Sequence, residues 1–165
     1  MHLEYCSEKH LPEILAIFNE AIINTTSLYD YKPRTLEKVR SFFDEHTEKN
    51  IPIIGAFDEN DTLLGFATYG SFRPHEGYKF TAEHSVYVRT DQRGKGLGKI
   101  LLLELIKEAK QRDVHSLIAV IDADNTTSIT LHEKLGFEFC GKIPQVGFKF
   151  ERWLDVVFYQ LIIES

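Results

Sequence analysis

The stretch Val86-Tyr87-Val88-Arg89-Thr90-Asp91-Gln92-Arg93-Gly94-Lys95-Gly96-Leu97-Gly98-Lys99 constrains this chain more than any other. A Val-x-Val strand runs into three glycines at alternate positions. The strongest helical pattern of the sequence follows at once, Gly96–Arg112, with Leu97, Leu101, Leu105 and Ala109 at four-residue spacing. Glycines let main-chain N–H groups approach a ligand without interference from a Cβ. A helix N-terminus adds unpaired N–H groups and a partial positive charge. Together these make an anion cradle suited to a pyrophosphate, with Arg93, Lys95 and Lys99 adding charge. Two familiar phosphate motifs do not fit. The P-loop needs GxxxxGK[ST], and here GxGxGK is followed by Ile100; the dinucleotide fingerprint needs GxGxxG at a first strand, and here a GxGxG sits in a central unit. The alternative is a glycine-rich turn carrying solvated lysines.

Around that segment the periodicity predicts an alternating order of elements. His2–Cys6 reads as a strand. Leu11–Thr25 and Thr35–His46 read as helices, the second capped by Thr35. Pro52–Phe57 and Leu63–Tyr69 read as strands joined by the turn Asp58–Asp61. Ser71–Lys79 is a polar loop and Glu83–Val88 a strand. Ser116–Ile121 is a strand after the long helix. Asn125–Leu135 is a short helix stopped by Gly136. Phe137–Pro144 and Trp153–Ile162 read as the last two strands. The expected fold is α/β: a mixed, twisted central sheet flanked by helices, in one domain over residues 1–165.

Composition narrows the function classes. Apolar residues are 43% of the chain and aromatics 12%, enough for a closed core and incompatible with disorder, collagen or coiled coil. The formal net charge of −6 and the lack of a long basic run argue against a nucleic-acid partner. No apolar run is long enough to span a bilayer, so no membrane partner is expected. The start MHLEYCSEKH lacks a basic segment followed by an apolar one, so a cytoplasmic setting is expected. The two cysteines form no CxxC pair, and no metal is expected. Cys6 is expected at a strand end and Cys140 in a core strand.

Arg93-x-x-Gly96-x-Gly98 after a Val-x-Val strand resembles the acetyl-CoA loop of the GNAT N-acetyltransferase superfamily. Asn125-x-x-Ser128-x-x-Leu131-His132-Glu133-Lys134-Leu135-Gly136-Phe137 resembles the next motif of that superfamily. Three further segments resemble its phosphinothricin, methionine sulfoximine and methionine sulfone acetyltransferase branch: Arg73–Gly77, Thr81–Val88 and Gly147–Val156. The likeness covers nearly the whole chain and is loosest over the first 50 residues.

The resemblance implies acetyl-CoA along Val86, Tyr87 and Val88, its amides pairing with strand backbone. It implies a pyrophosphate on Gly94, Lys95, Gly96, Leu97 and Gly98 beside Arg93, and Asn125 on the pantetheine arm. Asn125 is equally a plain helix N-cap. Glu83 is the candidate base for the acceptor amine, directing a proton away through water. The alternative for Glu83 is an exposed strand-end residue. His132 stands where many members of the superfamily have Tyr and is the candidate acid for the departing thiolate; the alternative is a packed histidine. Arg73, His75, Glu76 and Tyr29 are expected around an amino-acid-like acceptor. Arg73 would clamp an anionic group and Glu76 would hold the ammonium. Asp30 stands where parts of the branch carry Arg. Neither cysteine has a visible neighbouring base, so direct transfer is expected rather than an acetyl-cysteine route. A homodimer is implied. Another amine acceptor within the superfamily, or an acyl-CoA sensor without catalysis, remain the other readings.

Overall fold

The computed structural model describes residues 1–164. Seven strands form one sheet: β1 His2–Tyr5, β2 Ile54–Phe57, β3 Leu63–Ser71, β4 Thr81–Val88, β5 Ser116–Asp122, β6 Glu138–Lys149 and β7 Arg152–Ile162. Four α-helices accompany them: α1 Leu11–Asn24, α2 Leu36–Glu48, α3 Leu97–Gln111 and α4 Thr126–Lys134. The sheet order is β1-β2-β3-β4-β5-β7-β6. Every neighbouring pair is antiparallel except β4 and β5. The mixed α/β sheet expected from the periodicity is what forms.

Two apolar clusters hold the layers together. On one face, Leu11, Ile14 and Phe18 of α1 and Val39 of α2 pack on Phe57 and Phe66 of the sheet. On the other, Leu97, Leu101 and Leu105 of α3 pack on Ala67, Leu117, Ala119, Val157 and Tyr159. Strand alternation explains the division: Phe66 and Ala67 are adjacent in β3 and serve opposite clusters. Thr35 caps α2, its side chain accepting from the Lys38 N–H at 3.2 Å.

Three expectations need correction. The sixth strand does not stop at Pro144 but runs to Lys149. β6 is an edge strand, where a missing proline N–H costs no ladder bond, and the register slips between Ile143 and Gly147 to absorb the irregularity. The polar loop is shorter than expected, because β3 continues to Ser71 and a short 3₁₀ turn occupies Glu76–Tyr78. Cys140 is exposed rather than in the core, since it lies at the first register slip of the same edge strand. Cys6 does follow a strand end, where burial and the nearby Glu13 and Glu4 push its thiol up to about 12.

Candidate active site

β4 and β5 are paired over only three residues: Thr81 with Ser116, Ala82 with Leu117, and Glu83 with Ile118. Beyond that point each strand stays with its outer neighbour. β4 continues along β3 as far as Val88, and β5 continues along β7 as far as Asp122. The sheet therefore opens into a wedge. One side of His84–Val88 has no strand partner, and such an edge offers free N–H and C=O groups to an extended amide-bearing ligand.

The wedge points toward the glycine loop. Gly94 and Gly96 have φ of 75° and 81°, a left-handed conformation that favours glycine, and a Cβ at either would meet nothing within 4 Å. Gly96 caps α3, with no side-chain cap, and the first helical bond runs from the Ile100 N–H to the Gly96 carbonyl. Among the described residues, the N–H groups of Gly94, Lys95, Gly96, Leu97, Gly98 and Lys99 find no hydrogen-bond acceptor. They form an open cluster of donors at the positive end of a 15-residue helix. Arg93 folds back on the end of β4, its Nε donating to the Val88 carbonyl at 3.5 Å, and Lys95 donates to Gln92 at 3.0 Å. Leu97 and Tyr87 present only their backbones toward the wedge. The Leu97 side chain is buried against the α3 core, and the Tyr87 ring packs between Phe18 and Phe66.

Glu83 is the last β4 residue paired with β5, at the apex of the wedge. Its side chain reaches solvent, yet partial desolvation raises its carboxyl above the usual glutamate range, opposed by the positive field of Arg73. Tyr87, four residues further along on the same face, feels Glu83, Arg34 and Asp30. Arg34 is fixed by a two-pronged bond to Asp30 at 3.1 and 3.3 Å and lies 4.4 Å from the Phe18 ring centre. The position expected to carry a pocket arginine thus carries the partner of one four residues on. Arg73 rests 5.0 Å from the Phe72 ring centre, and Arg73, His75 and Glu76 are all exposed and make no ion pair among the described residues. Among the described residues, no hydrogen bond or ion pair joins His75 or Glu76 to Glu83. Tyr29 packs against Gly147, where an added Cβ would come 2.6 Å from its ring, and it feels the Asp122 carboxylate at the end of β5.

His132 is buried, and the geometry gives it no free ring nitrogen. Nδ1 lies 2.7 Å from the Ser128 carbonyl, which can only accept, so Nδ1 carries the proton. Nε2 is then an acceptor and receives a bond from His84 Nε2 at 2.9 Å. An acid facing the wedge is not what this arrangement offers. His84 alternates with Glu83 and faces the α3 side of the sheet, where Phe137 covers both rings. Burial and the neighbouring His132 hold His84 down at about 3, against a weaker pull from the Ile118 main chain; its Nδ1 has no partner at hydrogen-bonding geometry. Burial also lowers His132. Sequence reasoning missed His84 entirely. Asn125 is the α4 N-cap, its side chain accepting from the Ser128 N–H at 3.1 Å, and it remains exposed enough for its amide group to serve a ligand as well.

The His2, Glu4 and Asp61 side chains converge at the exposed β1 edge, where Lys9 holds Asp61 at 3.0 Å. They take no part in the wedge. No helix among the described residues is long and apolar enough to cross a membrane.

Residues 15–137 match the model of the acetyltransferase (GNAT) family. An L-methionine sulfoximine/L-methionine sulfone acetyltransferase of Pseudomonas aeruginosa is 49% identical over 154 residues, covering 93% of this chain and 90% of its own. An N-acetyltransferase structure from Staphylococcus aureus Mu50 superposes with a TM-score of 0.96 at 45% identity, over 99% of this chain and 98% of that one. A phosphinothricin acetyltransferase of Sinorhizobium meliloti, solved in complex with acetyl-CoA, gives a TM-score of 0.95 at 34% identity, over 98% and 88%.

Proposed function

The chain belongs to the acetyltransferase (GNAT) family, and from that premise we propose how its residues divide the work of N-acetylation. The protein is an acetyl-CoA-dependent N-acetyltransferase of the methionine sulfoximine, methionine sulfone and phosphinothricin type. Residues 1–165 act as one domain. The single observation that carries the reading is the wedge that begins at Glu83 and ends at an unclaimed row of amides.

Acetyl-CoA supplies an acetyl group activated as a thioester. The amides of Gly94 to Gly98 receive its pyrophosphate, with Arg93 and Lys95 beside them, and the free edge of Val86–Val88 pairs with its pantetheine amides. Asn125 serves that arm from the opposite side. Its cap to Ser128 pre-orients the amide group rather than competing with this role. The acceptor is the α-amino group of a small amino-acid-like molecule. Arg73 meets its anionic end, Tyr29 and the His75–Glu76 loop border the pocket, and Glu83 faces the amine.

In the transfer, the amine nitrogen forms a bond to the acetyl carbon and the carbon–sulfur bond breaks. One ammonium proton passes to Glu83, directly or through one water, and on to solvent. A second neutralises the departing sulfur, leaving an amide and a thiol. The raised carboxyl of Glu83 suits this task, because an α-amino group near pKa ~8 needs only modest help to lose its proton at neutral pH. His132 acts on the other side of the sheet. We assign it to holding α4, and with it Asn125, against β4. Neither thiol takes part.

A homodimer fits the uncovered face of β5, β7 and β6. Val120, Ile143 and Ile162 are exposed there, and a hollow of ≈ 370 Å³ opens between Phe72, Ile118, Cys140 and Phe158. A cytoplasmic setting, where acetyl-CoA is made, and resistance to toxic glutamate or methionine analogues complete the reading; neither a nucleic acid, a membrane nor a metal has a part in it. The test is CoA release across methionine sulfone, methionine sulfoximine, phosphinothricin, common free amino acids, spermidine and an aminoglycoside, with Glu83→Gln in parallel. The reading expects the first three to lead. A polyamine or aminoglycoside turned over far faster would replace the acceptor, and acetyl-CoA binding without turnover of any amine would make the protein a sensor.

A further inference from the structure

Residues 25–35, between α1 and α2, cross the mouth of the wedge on the Glu83 face. At one end Thr26 donates through its hydroxyl to Asp122 at the tip of β5, and Tyr29 feels the same carboxylate. At the other, Arg34 lies over Phe18 and its field reaches Tyr87 of β4. This segment therefore bridges the two strands that part at Glu83, and an acceptor must lie beneath or beside it.

What fixes the segment is three consecutive residues of β6. Gly147 has no side chain, and the Tyr29 ring occupies the space a Cβ would take. The Phe148 carbonyl accepts from the Tyr31 hydroxyl. Lys149, only 3% exposed, spends all three ammonium protons on main-chain carbonyls: Ile22 at 2.7 Å, Thr25 at 2.8 Å and Leu28 at 2.6 Å. Among the described residues no carboxylate pairs with it directly. A buried ammonium costs several kcal/mol of desolvation in general terms, so three well-placed acceptors are what make this position tenable. Those acceptors lie at the end of α1 and the start of the bridging segment, where carbonyls would otherwise lack donors.

We propose that Lys149 is a positioning residue for the acceptor: by tying residues 22–28 to the β6–β7 hairpin it sets the wall of the acceptor pocket, leaving the acetyl-CoA side untouched. The proposal rests on the reading of Glu83 and the wedge given above.

Lys149→Met and Tyr31→Phe test it in two assays. Steady-state CoA release with methionine sulfone gives separate KM values for acceptor and acetyl-CoA. Chymotryptic nicking at Tyr29 and position 31, read by mass spectrometry, reports on the segment with no acceptor present. Loss of the ammonium should raise the acceptor KM roughly tenfold, the size expected for charge-assisted bonds, with acetyl-CoA KM within about twofold and faster nicking. Tyr31→Phe removes one exposed bond and should raise the acceptor KM about threefold; it decides the matter if Lys149→Met does not fold. Wild-type nicking in the folded variants, or equal rises in both KM values, overturns the proposal. Failure of the wild type to acetylate methionine sulfone sinks the acceptor reading instead, while nicking still decides the tie.

Discussion

Replacing the buried His84–His132 pair by two leucines separates a structural role from an acid role. In the folded protein His84 stays neutral down to about 3, while an unfolded histidine binds a proton below about 6.5. Acid therefore favours the unfolded chain, and stability present above pH 6.5 is lost as the pH falls toward 3. At pH 5 the loss from His84 alone is RT ln(1 + 10^1.5), about 2 kcal/mol, against about 0.2 kcal/mol at pH 7. His132 and His46 are shifted in the same direction by burial and add to it. For a chain of this length, the His84 share corresponds to a fall in Tm of about 4–8 °C between pH 7 and pH 5. The double variant His84→Leu/His132→Leu removes donor and acceptor together, so no half of the bond is left unpaired. Urea unfolding at both pH values should show the decrement shrinking by about 2 kcal/mol or more. Turnover at pH 7 should stay within about tenfold, whereas deleting a true general acid costs roughly 10²–10⁴. A variant with the full acid sensitivity of the wild type would refute the neutral buried pair. A loss of turnover in that larger range, with acetyl-CoA still bound, would restore His132 to the chemistry.

Three more outcomes are expected. Glu83→Gln should lower kcat/KM by about 10²–10⁴ at pH 7 while acetyl-CoA affinity, followed by calorimetry, stays unchanged. In the wild type the acidic limb of the pH–rate profile should lie above the usual glutamate range, because desolvation raises this carboxyl and only its ionised form accepts a proton; an acidic limb at ordinary glutamate values with activity surviving Gln would remove Glu83 from its role. Gly96→Ala and Gly136→Ala both force a left-handed residue and should each cost about 1–2 kcal/mol of stability. Only the first should raise the KM for acetyl-CoA, so equal effects on KM would dismiss the amide cradle. Towards a thiol reagent, Cys140 should react within the mixing period and Cys6 far more slowly, because Cys6 is half-buried and its thiol is held at about 12. Full activity after Cys140 is modified, measured by CoA release in washed protein, supports direct transfer; inactivation that tracks this residue would reopen a thiol route.

Much of the fold was legible because its elements carry one period each. α1, α2 and α3 have apolar stripes that pack on one layer, and the order of all eleven elements follows from them and the strands between. Two of the three corrections fall on β6, where the local signals are a proline and two glycines. Their meaning depends on whether a strand is central or at an edge, which is a property of the assembled sheet. Cys140 follows the same logic: an apolar residue in a strand pattern reads as core, but an edge strand with slipped register turns it to solvent.

The site divides along a similar line. The amide cradle could be read directly, since backbone donors at a glycine-rich helix start depend on local sequence alone. Glu83 could be placed on a strand, but its position at the apex comes from where β4 and β5 part, three residue pairs into a long-range parallel contact. His132 and Lys149 show why side-chain chemistry could not be read from residue type. A histidine in a motif that often holds an acid has both nitrogens committed to neighbours 4 and 48 positions away. A lysine between two phenylalanines, which sequence alone would leave at the surface, is among the most buried polar groups because three carbonyls more than a hundred residues earlier converge on it. Local sequence specifies the open amides at the start of α3; the surroundings of Glu83 depend on tertiary closure. Substitutions that change acceptor preference should therefore fall in residues 22–35, 72–80 and 144–150, and those that change acetyl-CoA affinity in residues 86–98. A selection for a new acceptor that returned its changes mainly in the glycine loop would contradict this division.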